Sequence, residues 1–209
     1  MHLAHGRNLD VFTQAETIAA YLAVRDDLDR LTLAIYCCEL VDRFTADRAA
    51  QSALYELRVD SLEALDAYRR RFDSIPDTVA RYFELRVLAN TGYEIRLSHC
   101  AICDGPIAEE DTLFSVASGG LVCGGCRSRG GSGRLISVRA IKAMRFAANA
   151  TMGQFAGLRL EAELEAELQR VLGEAIRSVL ERETNSGRYV EALAVPLRPP
   201  VHESPGDVQ

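Results

Sequence analysis

Over most of residues 13–92, apolar positions recur every three or four residues, the repeat of one amphipathic helix after another. Thr13 and Glu16 have the T-x-x-E spacing of a capping box. A helix is therefore expected to start there, with Ile18, Tyr21, Leu22 and Val24 on its apolar face. A second is expected from about Asp26 to Phe44, with Leu28, Leu31, Ile35, Cys38 and Val41 in its stripe. Residues 48–58 continue with Ala49, Leu54, Tyr55 and Leu57, and Ser61 is placed to cap a further helix that turns Leu62, Leu65 and Tyr68 inward. Ser74-Ile75-Pro76-Asp77 is another start signal. The helix it opens carries Val79, Tyr82, Phe83, Leu85, Val87 and Leu88 and stops at Thr91-Gly92. Four or five helices in a compact bundle are predicted.

The helical repeat resumes near Ser137, which caps a helix holding Val138, Ile141, Met144, Phe146 and Ala147 and broken by Gly153. A long helix follows from about Leu160 to about Glu183, with Leu164, Leu168, Val171, Leu172, Ala175, Val179 and Leu180 on its apolar face. Tyr36, Tyr55 and Tyr82 are expected in the core or at its edge, and Cys37 and Cys38 as small buried apolar residues. Glu39 and Glu84 stand amid apolar positions, to be paired with an arginine such as Arg43 or Arg81 or turned outward. Leu9, Val11 and Phe12 form a short strand pattern with no partner in view.

Between the two helical stretches the pattern breaks down. Residues 98–130 have too little apolar content to fold alone, yet they carry Cys100-x2-Cys103 and Cys123-x2-Cys126, with 19 residues between the pairs. That spacing is the signature of a zinc site. Each short loop sets two sulfurs on one side of an ion, and two loops close a tetrahedron of thiolates. Gly105, Gly119, Gly120, Gly124 and Gly125 stand where tight turns are expected. Leu113–Val116 and Leu121-Val122 read as a small hairpin around Gly119-Gly120. Two disulfides or four unrelated thiols are the alternatives, and disulfides need an oxidising compartment that nothing else in the chain suggests. His99 is a conceivable substitute for one cysteine. The fold class is thus mainly α, a helical bundle with an inserted four-cysteine zinc-ribbon-like module. The helical domain comprises 13–97 and 135–194, and 98–134 form the zinc module with a basic loop. Residues 1–12 are a remnant strand or linker, and 195–209, with Pro199, Pro200 and Pro205, a disordered tail.

Composition changes this picture at one place. The chain has 209 residues, 48% hydrophobic and 26% charged, as in an ordinary globular protein, and no apolar run long enough for a membrane span. The N-terminus lacks the pattern of a signal peptide, so a reduced, cytoplasmic setting is expected. A net charge of −6 argues against a general nucleic-acid binder. Its distribution argues the other way. Thr112–Leu160 contains no Asp or Glu, but holds Arg127, Arg129, Arg134, Arg139, Lys142, Arg145 and Arg159. Glutamates and aspartates crowd both flanks, at Asp104, Glu109, Glu110 and Asp111 and again at Glu161, Glu163, Glu165 and Glu167. Arg127, Arg129, Arg134, Arg139 and Lys142 are therefore candidate phosphate contacts, since the guanidinium fork matches phosphate oxygens. The competing reading is a solvated basic face that pairs with the flanking acids.

An enzyme is not expected. Four cysteines close the zinc coordination sphere, which leaves no position for an activated water. Apart from His99, the histidines lie in the terminal segments, and no glycine-rich loop has Walker spacing.

Three segments carry a family resemblance. LTLAIYCCELVDRF (31–44), RYFELRVLANTGYEIRLSHCAIC (81–103) and FSVASGGLVCGGC (114–126) resemble the bacterial DNA repair protein family RecO, and IRSVLERETNSGRYVEAL (176–193) looks like that family's terminal segment. The resemblance covers roughly residues 8–194. It implies recombination mediation: binding of single- and double-stranded DNA, annealing of complementary strands, and work with RecR and single-strand-binding protein to load RecA. It implies structural zinc, no other cofactor, and a cytoplasmic, nucleoid-associated protein. The family carries an N-terminal OB-fold, of which only something like the exit strand, Asn8–Thr13, is seen here. Thr184-Asn185-Ser186 stands where the family has a basic residue before its terminal serine, leaving Arg182 and Arg188 nearby. A zinc-stabilised helical protein-interaction module without autonomous DNA binding is the alternative.

Overall fold

The computed structural model describes residues 2–4, 11–14, 16–45, 51–67, 75–129 and 132–180. Two short strands come first, β1 (His2–Ala4) and β2 (Val11–Gln14), paired antiparallel. The strand expected near residue 11 thus has a partner within the chain, and Thr13, read as a helix cap, lies in β2. The first helix, α1 (Leu22–Arg25), is a single turn. It begins after Tyr21, which has φ 45, and Asp66 of a later helix accepts from the Ala23 and Val24 amides at 2.9 and 3.2 Å. A carboxylate borrowed from elsewhere in the fold thus serves the orphan donors of this turn. Ile18, expected on an inward face, is fully exposed.

The bundle is built from α2 (Leu28–Phe44), α3 (Ser52–Ala67) and α4 (Ile75–Asn90). In α2 the buried stripe is Leu33, Ala34, Tyr36, Cys37 and Leu40, whereas Leu28, Ile35 and Cys38 are exposed. Two apolar stripes compete, and Thr32, Glu39 and Asp42 lie beside Leu28 and Ile35 on the one that stays exposed. The one that wins carries Tyr36, whose hydroxyl donates to Glu84 Oε1 at 2.8 Å. Ser61 does not start a helix but lies inside α3, buried, with its hydroxyl donating to Leu57 O at 2.7 Å. Tyr55 is exposed on the same helix, with the Arg58 guanidinium 5.3 Å from its ring centre. The predicted α4 stripe is buried throughout, and Gly92, with φ 88, ends it as the left-handed cap.

The second helical part is α6 (Val138–Asn149), α7 (Met152–Ala156) and α8 (Ala162–Leu180). Gly153 does not break α6. That helix stops at Ala150, and Thr151 opens α7 with a full capping box to Gln154, placing Gly153 inside it. The returning helices pack on α4, and α4 also serves their ends. Arg86 donates to Ala148 O at 2.7 Å and Tyr82 to Ala150 O at 2.9 Å, satisfying carbonyls that α6 leaves open. Glu167 of α8 accepts from both the amide and the hydroxyl of Ser137, the N-cap of α6. One core runs through all of these helices, with Phe83, Leu88, Met144, Phe155, Leu168 and Val171 in it.

Arg81 and Glu84 of α4 are each 2% exposed. They pair at 3.1 Å, and Glu165 of α8 lies 4.0 Å from Arg81 Nε. Burial pushes the Glu84 carboxyl above its ordinary range, against the opposing pull of Arg81 and the Tyr36 hydroxyl. The expected tail from residue 195 and the Thr184–Ser186 segment lie outside the described residues.

Candidate metal centre and the basic face beside it

Between α4 and α6 stands a three-stranded antiparallel sheet of β3 (Thr112–Ser115), β4 (Gly120–Val122) and β5 (Arg134–Ile136), in the order β4-β3-β5. The predicted hairpin is β3 and β4, turning at Gly119 with φ 74, and β5 is an added strand. Side chains alternate across a strand, and here the alternation separates two cores. Phe114 and Leu121, cross-strand partners, join the helical core. Leu113 and Val122, also partners, face away from it and pack with Cys100 and Cys126. The hairpin is therefore the wall between the bundle and the cysteines.

Cys100, Cys103, Cys123 and Cys126 converge behind that wall, with their Sγ atoms all within 4.8 Å of one another. The Cys103–Cys123 sulfur separation is 3.7 Å. A tetrahedron with metal–sulfur bonds of about 2.3 Å has edges of about 3.8 Å, so the group has the size of a tetrathiolate site. All six cysteines stand as free thiols, and the four of the module gather into one group rather than into two bonded pairs. His99 is not in the group; its backbone forms a bridge to Pro106. Four soft sulfur donors in this arrangement suit zinc or an iron–sulfur centre rather than a hard cation.

Local hydrogen bonding shapes both cysteine turns. In the first, Cys100 N donates to Gly105 O at 2.8 Å and Asp104 N to Cys100 O at 2.9 Å. The residue with positive φ is Asp104 (φ 57), not Gly105; a Cβ on Gly105 would sit 3.4 Å from Cys103 Sγ. In the second, Cys123 opens the short helix α5 (Gly124–Arg127), and Cys126 N and Arg127 N both donate to Cys123 O. Gly124 and Gly125 face open space. Cys123 N also donates to Cys100 Sγ at 3.4 Å, joining the two turns. Burial opposes ionisation of Cys100, but amide donors from Cys123, Cys103 and Ile102 outweigh it and hold the thiol at about 6. The neighbouring Cys103 thiol, with burial, pushes Cys126 up to about 12. The cluster is thus primed with a thiolate at Cys100, while Cys126 must shed a proton when a metal enters.

Two attachments fix the module to the helical part of the chain. Arg96 N donates to Gly119 O at 3.0 Å and Leu121 N to Arg96 O at 2.9 Å, forming a parallel bridge between Arg96 and Gly120. A Cβ on Gly120 would lie 2.4 Å from Arg96 O, so only glycine allows this approach. Within the module, Ala101 N donates to Leu121 O at 2.7 Å, tying the first cysteine turn to β4. Arg145 of α6 sends two donors to Leu97 O, at 2.9 and 2.7 Å. An arginine on the inner side of an otherwise apolar helix face was the available signal for that strut.

The five candidate phosphate contacts are all exposed but not equivalent. Arg134 is bound to Glu174 of α8, with Nε 3.1 Å from Oε1. Arg139 pairs with Glu161 at 2.6 Å and Lys142 with Glu109 at 2.9 Å. The hydrogen bond and charge of Lys142 hold the Glu109 carboxyl below its usual range. Arg129 folds back on the second cysteine turn, donating to Gly125 O at 3.0 Å and placing Nη2 3.8 Å from Cys126 Sγ. Arg127 makes no ion pair among the described residues. The flanking acids Glu161 and Glu109 therefore engage two of the five cations, and Glu174, farther along α8, engages a third.

No helix among the described residues is long and apolar enough to cross a membrane. The family model described as "Recombination protein O C terminal" matches residues 25–188. The chain is 32% identical over 191 residues to "DNA repair protein RecO" of Dehalococcoides mccartyi, covering 91% of this chain and 73% of that protein. It is 31% identical to the protein of the same name from Desulforudis audaxviator, covering 92% and 75%. For Roseiflexus sp. the identity is 30%, covering 94% and 68%.

Proposed function

The chain belongs to the RecO family of DNA repair proteins, and from that premise we propose that it acts as a recombination mediator stapled by one structural zinc ion. It binds single- and double-stranded DNA and promotes annealing. It works with RecR and single-strand-binding protein to load RecA, as a non-enzymatic, cytoplasmic and nucleoid-associated protein. The observation that carries the reading is the extent of the family match, which spans the helical body and the four-cysteine module together. Cys100, Cys103, Cys123 and Cys126 would hold the zinc, which supplies cross-linking and no chemistry of its own. DNA contact would run through Arg127, Arg129, Arg134, Arg139 and Lys142.

A gel-shift titration with single- and double-stranded DNA over a range of salt concentrations tests this. Affinity should fall steeply with salt, because phosphate contacts release counterions. It should weaken when Arg127, Arg129 and Arg134 become Ala, with zinc content measured alongside because Arg129 touches Cys126. No binding at low salt, or binding indifferent to those changes, would remove the basic face from the account.

One observation favours a second reading. Arg134, Arg139 and Lys142 are already paired with glutamates, which suits a protein-interaction module without autonomous DNA binding. Glu161→Gln and Glu174→Gln separate the two. They free Arg139 and Arg134, and should tighten DNA binding if the face meets phosphate. Under the second reading DNA affinity stays negligible, and partner capture survives loss of the arginines.

A further inference from the structure

The four sulfurs of the cluster are not equally placed. Cys100 and Cys126 are 0% and 5% exposed, behind Leu113 and Val122. Each also has a donor on its sulfur: the Cys123 amide on Cys100, and the Arg129 guanidinium on Cys126. Cys103 is exposed and Cys123 half-exposed. These two outer sulfurs lie 3.7 Å apart, one from each cysteine turn. A small peroxide arriving from solvent meets this pair first. The inner pair is screened from it by protein.

We propose that Cys103 and Cys123 form a peroxide-sensitive pair that closes to a disulfide with release of the zinc. This rests on the zinc reading above. Cys103 thiolate attacks one oxygen of hydrogen peroxide, breaking the O–O bond to give Cys103 sulfenic acid and hydroxide. Cys123 thiolate then attacks the Cys103 sulfur and expels the second hydroxide. Two protons from solvent turn both hydroxides into water. Two thiolates are oxidised, one peroxide is reduced, and the metal is left with two of its four ligands. The sulfurs need to close by less than the width of one atom to reach disulfide bonding distance.

The product differs from a merely damaged module. The new bond spans the same two turns that the zinc spanned, so the hairpin between Cys103 and Cys123 stays closed by a cross-link. Reduction by a dithiol reopens the site for metal. Oxidation thus changes what holds the basic face, with the chain left intact.

Cys38, on α2, is also exposed and would consume peroxide, so the test uses the full chain carrying Cys38→Ser. Zinc is quantified first, and hydrogen peroxide is then titrated with a chromogenic chelator present. The products are mapped by proteolysis and mass spectrometry without reduction. The expected result is one zinc released per peroxide consumed, a peptide linking Cys103 to Cys123, and recovery of zinc binding after dithiol treatment. Cys103→His keeps a metal ligand and removes the first attacking sulfur. It should abolish the linked peptide and leave zinc bound at peroxide levels that strip the parent. A chain that carries no zinc at the outset overturns the metal reading, and this one with it. Zinc that is bound but retained under peroxide overturns only the present proposal. So does release in which the first linkage contains Cys100 or Cys126, or in which sulfinic acid forms with no linkage.

Discussion

Replacing Gly120 by Ala tests how the cysteine module is docked. The new methyl would lie 2.4 Å from Arg96 O and 2.8 Å from Arg96 N, both backbone atoms with no side-chain freedom to yield. The bridge must open. Two hydrogen bonds go with it, Arg96 N to Gly119 O and Leu121 N to Arg96 O, at a net cost of about 1 kcal/mol each. Forcing a methyl into a packed site costs a further ~1–3 kcal/mol. Allowing for partial relaxation, the total is about 2–4 kcal/mol. Metal binding and local folding are linked, so this cost should reappear as zinc affinity weakened by roughly 30-fold to several hundred-fold. Competition with a chelator of known affinity measures it. Amide hydrogen exchange at Leu121 and Arg96 should lose protection in parallel. Gly124→Ala is the control, because nothing lies within 4 Å of a Cβ there. It should change stability by no more than about 0.5 kcal/mol. If the two variants behave alike, the Arg96–Gly120 bridge does not dock the module and the reasoning fails.

Two other outcomes follow from the buried and titrating groups. Arg81→Met leaves Glu84 buried without its partner, at a cost of about 3–5 kcal/mol by urea unfolding. Arg81→Met with Glu84→Gln should recover much of that loss, since Gln still accepts from Tyr36; a double variant as unstable as the single one would contradict the pairing. The Glu84 carboxyl is raised from 4.5 by burial, so its contribution is complete at pH below that ordinary value and is lost as pH rises through the raised folded one. The Arg81→Met penalty should therefore be small in acid and grow with pH, and a pH-independent penalty would count against it. Cys100 has the opposite sign: its thiol is lowered from 9.0 to about 6, so its ionisation stabilises the metal-free fold fully above about pH 9 and the contribution disappears as pH falls toward 6. Zinc retained against a fixed chelator should fall as pH drops through about 6, where protons begin to compete at Cys100, and retention unchanged at pH 5–6 would contradict a thiolate site.

Much of this architecture was legible from periodicity and spacing. The two C-x2-C pairs, the β3–β4 hairpin and the α4 stripe all depend on contacts close in sequence or on side chains with one obvious role. The misreadings arose where local and tertiary forces compete. Thr13 and Glu16 carry a capping pattern, yet residues 11–14 form a strand paired with residues 2–4, and Thr13 is the bulged residue within it. Ser61 looked like a cap because serine competes for backbone bonds, but inside α3 it satisfies itself on Leu57 O. On α2 two apolar stripes were available, and the buried one carries Tyr36, whose hydrogen-bond partner Glu84 lies 48 residues away. The pairing of Arg134 with Glu174 and of Arg139 with Glu161 was open in the sequence. Only the packing of α8 beside β5 and α6 decides which acid meets which cation.

The most direct measurement is the metal content of the purified chain, by elemental mass spectrometry, alongside a count of reactive thiols in denaturant before and after chelation. The account predicts one zinc per chain. Cys100→Ser should lose it, and all six cysteines should titrate as thiols once the metal is removed. A chain without metal whose four module cysteines fail to titrate would contradict it. That result would mean disulfides hold the module, and the zinc staple would be gone from the account.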